Sequence, residues 1–287
     1  MRTSPSIHTF SMITDPLRLL SERAGVLFFL RGDVQESKRI YPILLPRDYF
    51  RKNRTDTPST LLNRLAMLGK TGLLLCDSVQ TAALPPETAH AVSLDNTSPD
   101  AEKISRVPAA TRKLKLDQSR FLNDTGEIAL DAEQGTFLVR TEKSEAFLLK
   151  EKNRLEGGFA SVDNRRSFCA VLLSAMDGKT LRKTDRFLIL HLTRTVNKGM
   201  TFRTQDGSVL EQWSAKPSNL LFQRGEAVLT LNRNLPGFRL YALDLAGRRL
   251  KELPVRSTNG KTLLPLKTDL DGKVVAAYEL VRSSSAR

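Results

Sequence analysis

The 287-residue sequence is poor in the residues that most often carry chemistry: it holds two cysteines, three histidines and one tryptophan. Cys76 and Cys169 lie in apolar contexts, "LLLCD" and "SFCAVLL". They read as buried free thiols, since two cysteines in so long a chain make no disulfide framework. His8, His90 and His191 are scattered along the whole length, and none has a metal-binding spacing. With no Cys-x-x-Cys either, a zinc site is not expected. His191, within "LILHLTR", reads as a partly buried or rim histidine on a strand rather than a base. Phosphate-cradling loops are missing too: "GKTG" at 69–72 has no spaced glycine before it and follows a helix instead of opening one. No Gly-x-Ser-x-Gly elbow calls for a serine nucleophile. No metal and no cofactor are expected.

Long apolar runs are also lacking. The longest, Ala24 to Leu30, is seven residues, where a bilayer span needs about 20. The opening "MRTSPSIHTFSMITDP" has no continuous apolar segment and no small-residue cleavage site, so it does not read as a signal peptide, and no membrane anchor is expected.

Acidic residues are outnumbered 31 to 45 by Lys and Arg, giving a net charge of +14 in an otherwise ordinary globular composition. The length suits one large domain or two smaller ones. Such a charge fits anionic partners, but it is spread as +4 over residues 1–57, +1 over 58–118 and +9 over 119–287. The densest basic stretch, Arg47 to Arg54, holds four bases and one acid and reads as a solvated loop. Nucleic acid is therefore not the expected partner.

What is present begins with "DPLRLLSERAGVLFFLRGDV" at 15–34. Asp15 is a good N-cap, and Pro16 suits the first helical position, where its missing N–H does no harm. Leu17, Leu20, Ala24, Leu27 and Phe28 recur at helical spacing, and Gly32 is a natural terminator. The pattern predicts a helix over 16–31 and makes the Arg-Gly-Asp triplet a helix end rather than an integrin motif. "RIYPILLP" then predicts a strand, "TPSTLLNRLAMLGKTG" a second helix stopped at Gly69, and "GLLLCDS" a buried strand. Residues 79–118, punctuated by Pro85, Pro86, Pro99 and Pro108, read as a linker or long surface connection. From 119 onward, "GTFLVRT", "EAFLLKE", "SFCAVLLSA", "RFLILHLTR", "EAVLTLN", "FRLYALDL" and "VVAAYELVR" alternate with Asp-Gly and Asn-Gly turn signals. Strands at this spacing with no helix between them predict an antiparallel sandwich or barrel.

Glycosidic cleavage needs two carboxylates, and acidic residues cluster at Asp124, Glu127 and Asp131 in "NDTGEIALD" and at Asp33 and Glu36 in "GDVQE". Turn and helix-end positions account for most of them. Aromatic platforms for sugar stacking would come from Trp213, Phe202, Phe238 and Tyr241, each of which core filling explains more cheaply. Trp213, Phe202, Asp124 and Glu127 are the substrate-contact candidates.

Several of these segments resemble large bacterial glycoside hydrolase-like proteins, in which a (β/α)8 barrel is followed by a β-sandwich. "FSMITDPLRLLSERAGVLFFLRGDV" is similar to the last barrel helix through Phe10, Asp15-Pro16 and Leu30 to Val34. "NDTGEIALDAEQGTFLVRTEKSEAF" resembles the first sandwich strands through Asn123 to Glu127, Gly135 to Val139 and Thr141. "VNKGMTF", "WSAKPSNLLFQRGEAVLTL" and "YALDLAGRRLKELPV" resemble later strands and a closing hairpin. The chain departs from the pattern at Leu130 and Phe202, where tryptophan is expected, and at Glu142-Lys143 in place of Pro-Arg.

The resemblance implies a mainly β fold: an antiparallel β-sandwich, jelly-roll or Ig-like, preceded by a short α/β segment that is the end of a TIM barrel. The implied domains are 1–78 as the barrel end, 79–118 as linker and 119–287 as sandwich. The chain would be the C-terminal accessory region of an enzyme acting on O-glycosyl bonds, covering the barrel rather than catalysing. The catalytic carboxylates would lie on barrel strands outside it. Its partners would be the missing barrel portion and, through the parent enzyme, a polysaccharide or oligosaccharide. The parent would be secreted or periplasmic, or otherwise cytoplasmic. The alternatives are a stand-alone basic β-module binding acidic polysaccharide or nucleic acid, and a small hydrolase using Asp124 and Glu127.

Overall fold

The computed structural model describes residues 15–47, 49, 59–79, 81–95, 103–106, 119–204, 209–212 and 220–283. Its contacts divide into two compact units, one running to Val34 and resuming at Gln134, the other formed by Gln35–Glu133. The fold is mainly β with antiparallel sheets, and the described strands form no closed barrel. The division differs from the expected 1–78, 79–118 and 119–287, because the first helix belongs with the strands beyond residue 134.

Helix α1 (Pro16–Leu30) begins as its caps predict, with the Asp15 carboxylate accepting from the amides of Leu17 at 3.1 Å and Arg18 at 3.2 Å.

In the 35–133 unit, β1 (Ile40–Pro46), α2 (Ser59–Ala66) and β2 (Lys70–Cys76) form a parallel pair with a helix between. β3 (Val92–Asp95) runs parallel to β1, and β4 (Lys103–Arg106) returns antiparallel to β3. The stretch expected as a linker thus contributes two strands. Ala91 and Val92 are buried, which a solvated linker would not allow. Tyr41, Ile43, Leu45, Tyr49, Leu65 and Val92 make the core of this unit. Gly69 is required by close approach rather than by a left-handed turn, since a Cβ there would lie 2.8 Å from the Arg39 carbonyl oxygen. β5 (Arg120–Leu122) and β6 (Ile128–Asp131) form a hairpin.

The larger unit is layered. One antiparallel sheet contains β7 (Thr136–Arg140), β8 (Ser144–Leu149), β11 (Cys169–Ala175), β12 (Arg186–Leu192), β18 (Phe238–Leu243), β19 (Arg249–Leu253) and β24 (Ala277–Arg282). Their order across the sheet is β19-β18-β24-β12-β11-β8-β7. The other contains β9 (Asn153–Glu156), β10 (Ala160–Arg166), β17 (Glu226–Leu231), β20 (Arg256–Thr258) and β21 (Lys261–Lys267), ordered β20-β21-β17-β10-β9. Their facing residues, among them Phe147, Phe187, Ile189, Val162, Leu229 and Leu264, are fully buried. Phe187 stacks on Phe159 at 6.1 Å between ring centroids. Tyr278 on β24 ties the layers together, its hydroxyl donating to the Lys267 carbonyl and accepting from the Lys267 amide. Helix α1 covers the opposite face of the larger sheet, where Leu17 packs with Leu172, Leu190, Leu192, Leu243 and Ala277. Short strands β13 (Thr195–Asn197), β14 (Thr201–Phe202), β15 (Leu210–Gln212), β16 (Leu220–Phe222), β22 (Asp269–Leu270) and β23 (Lys273–Val274) form three small antiparallel pairs, β13 with β16, β14 with β15 and β22 with β23.

Candidate functional site

The acidic cluster of "NDTGE" comes together as a turn. Asn123 caps it, its side-chain oxygen accepting from the amides of Glu127 at 2.9 Å and Ile128 at 3.0 Å. Gly126 supplies the left-handed backbone, φ +72°. The Asp124 carboxylate accepts from the Ser37 hydroxyl at 2.8 Å and from the amides of Lys38 and Arg39 at 2.9 and 3.0 Å. Partial burial works against its charge, but the bonds from Ser37, Arg39 and Lys38 outweigh this and hold the carboxyl below its ordinary value. Glu127 accepts from the Gln35 amide at 2.7 Å and the Thr125 hydroxyl at 3.2 Å. Each carboxylate therefore uses one oxygen, Oδ2 of Asp124 and Oε2 of Glu127, to brace the 35–39 segment. A catalytic pair needs one poised acid and one nucleophile or base across a sugar, which this arrangement does not provide.

Phe202 is half-buried on β14, and the Arg194 guanidinium sits 4.3 Å from its ring centroid. That ring face is engaged by the protein's own cation. Trp213 lies outside the described residues.

His191 is completely buried, not at a rim, because β12 is covered on both faces. Both of its ring nitrogens lack a hydrogen-bond partner among the described residues. Burial pushes its imidazole down to about 4. Cys169 is buried and its thiol is pushed up to about 12, whereas Cys76 is half-exposed at the end of β2 rather than buried; both are free.

One buried carboxylate escaped the sequence reading. Glu145 on β8 accepts from the amides of Gly158 at 2.6 Å, Phe159 at 2.7 Å and Ala160 at 2.9 Å. Burial makes it a weaker acid, raising its pKa above the ordinary value despite those three donors. It closes the turn between β9 and β10, and a Cβ on Gly157 would lie 2.6 Å from it. The glycine pair Gly157-Gly158 is the only sequence trace of this approach.

An open groove of about 500 Å³ lies between the β18–β19 turn and β23, lined by Asp244, Leu245, Arg248, Leu250, Lys273 and Val274. Its single carboxylate, Asp244, already accepts from the amides of Ala246 and Arg248 and from the Arg248 guanidinium at 2.7 Å. Among the described residues no group of three His, Cys, Asp or Glu side chains could hold a metal ion, and no helix is long and apolar enough to cross a membrane.

Exposed apolar side chains also gather on the outer face of α1. At about 100° per residue, Leu19, Val26 and Leu30 fall opposite Leu17, Ala24 and Phe28. Phe29 is 85% exposed and Leu30 76%, with Leu19 and Val26 also exposed. Compared with known proteins, the chain matches no family model, no curated protein and no solved structure.

Proposed function

We propose that this chain is the C-terminal accessory region of a glycoside hydrolase, in which α1 is the junction between a (β/α)8 barrel and a jelly-roll or Ig-like sandwich. The observation that carries this reading is the set of exposed apolar side chains on the outer face of α1, which stand there among Arg18, Glu22 and Arg23. Its inner face is satisfied by the larger sheet, so the helix needs no partner in order to fold. Its outer face nonetheless presents Leu19, Val26, Phe29 and Leu30 to solvent, as a helix does when another layer covers it in a larger assembly. The segment that bears this face is also the one that resembles the last barrel helix.

Two further points support the reading. The candidate carboxylates Asp124 and Glu127 act as turn braces, and the groove beside Asp244 holds no second carboxylate. The chain thus contributes cover and positioning, while hydrolysis of O-glycosyl bonds belongs to the barrel of the parent enzyme and the polysaccharide or oligosaccharide is met there.

The test is the coding sequence upstream of Met1. Several hundred in-phase codons with repeated strand–helix patterning and glutamates after the strand-like runs would support the proposal. A stop codon and a ribosome-binding signal immediately before Met1 would overturn it.

A further inference from the structure

The Arg-Gly-Asp triplet at the end of α1 sits in a buried polar network of the larger unit. Gly32, at φ +57°, turns the chain back on itself. The Asp33 amide donates to the Phe28 carbonyl at 2.9 Å and the Gly32 amide to the Phe29 carbonyl at 3.1 Å, closing the helix end. This reversal sets Asp33 beside Arg31 and aims both at the sheet beneath. The Arg31 guanidinium donates to the Ala175 carbonyl at 2.7 Å, to the Ser144 hydroxyl at 2.8 Å and to the Ser174 hydroxyl at 2.9 Å. It also pairs with both oxygens of Asp33. Ser144 in turn donates to Asp33 at 2.8 Å. The Asp33 side chain is wholly buried, as are Ser144 and Ser174.

We infer that Arg31-Gly32-Asp33 is an internal latch that fixes the pose of α1 on the sandwich, and that in the folded chain the triplet is closed to adhesion receptors. The remaining α1 contacts to the sheet are apolar and non-directional, so they hold the helix down without choosing its position along the sheet. The guanidinium fork supplies that choice, because its donors meet three acceptors at fixed sites on β8 and at the end of β11. Removing Arg31 leaves the buried Asp33 carboxylate without its cation, held among the described residues by the Ser144 hydroxyl alone, and two serine hydroxyls short of a partner, while leaving the inter-sheet core untouched. The inference stands apart from the proposed parent enzyme, since every contact lies within this chain.

Hydrogen exchange on the full chain tests it. In Arg31→Ala the amides of α1 are expected to lose protection by about a hundredfold or more, while those of β17 and β21 keep theirs. Should Arg31→Ala fail to fold, Arg31→Lys carries the test: it keeps the charge but loses the fork, and a smaller loss confined to α1 is expected. Equal loss in α1 and β17, or no loss in α1, would overturn the latch. Capture of the folded wild-type chain by an Arg-Gly-Asp-binding integrin would overturn the closure.

Discussion

The two sheets of the larger unit are built from similar residues but leave different patterns in the sequence. The larger sheet is covered on one face by the five-stranded sheet and on the other by α1. Its central strands accordingly read as mostly apolar runs without alternation, "CAVLLSA" and "RFLILHL". The five-stranded sheet has one covered face, and β17 alternates strictly between half-buried and buried residues in "EAVLTL". A continuous run therefore marks a strand covered twice and an alternating one a strand covered once. Helix α1 is what turns the first sheet into a middle layer.

Substitutions can break or sharpen that contrast. The largest effect is expected in the layer shared by the two sheets. Phe187→Ala removes a fully buried ring packed against Phe159 and Phe238 and should cost about 3–5 kcal/mol in denaturant unfolding. Next comes His191, whose imidazole titrates near 6.5 when unfolded and near 4 when folded. Between those values the unfolded chain binds the extra proton, so stability falls as pH drops through the window, by about 3 kcal/mol in all. Urea midpoints measured from about pH 7.5 to about pH 4.5 should show this decline, and His191→Leu should flatten it. On the α1 side of the same sheet, Leu190→Ala should cost about 2–3 kcal/mol and should loosen α1 more than β21 in hydrogen exchange. The smallest effect belongs to the open face of the other sheet, where Thr230→Val should change stability by less than about 0.5 kcal/mol.

Local chemistry was readable in the sequence. Asp15, Pro16 and Gly32 framed α1, and the seven apolar runs beyond residue 119 each became a strand. Strands β10 ("ASVDNRR") and β21 ("KTLLPLK") were missed because polar residues or a proline interrupt their alternation, although their buried faces fill the core. The linker reading of 79–118 rested on its prolines and polar residues, but β3 is placed by pairing with β1, a contact distant in sequence. Of the candidate sites, Asp124 and Glu127 were legible as turn residues, but their partners at 35–39 were not. The Arg31 latch was hidden for the same reason, since Ser144 and Ser174 lie 113 and 143 residues away. Helical periodicity showed the inner face of α1, but only the packed structure separates the apolar residues it uses from those it leaves outside.

That separation is the point to measure. Hydroxyl-radical footprinting would compare this chain alone with the proposed parent enzyme. Phe29 and Leu30 are expected to react readily in the isolated chain and to be protected in the parent, while Phe28 and Leu20 stay protected in both. Equal reactivity of Phe29 and Leu30 in the two samples would contradict a barrel seated on the outer face of α1.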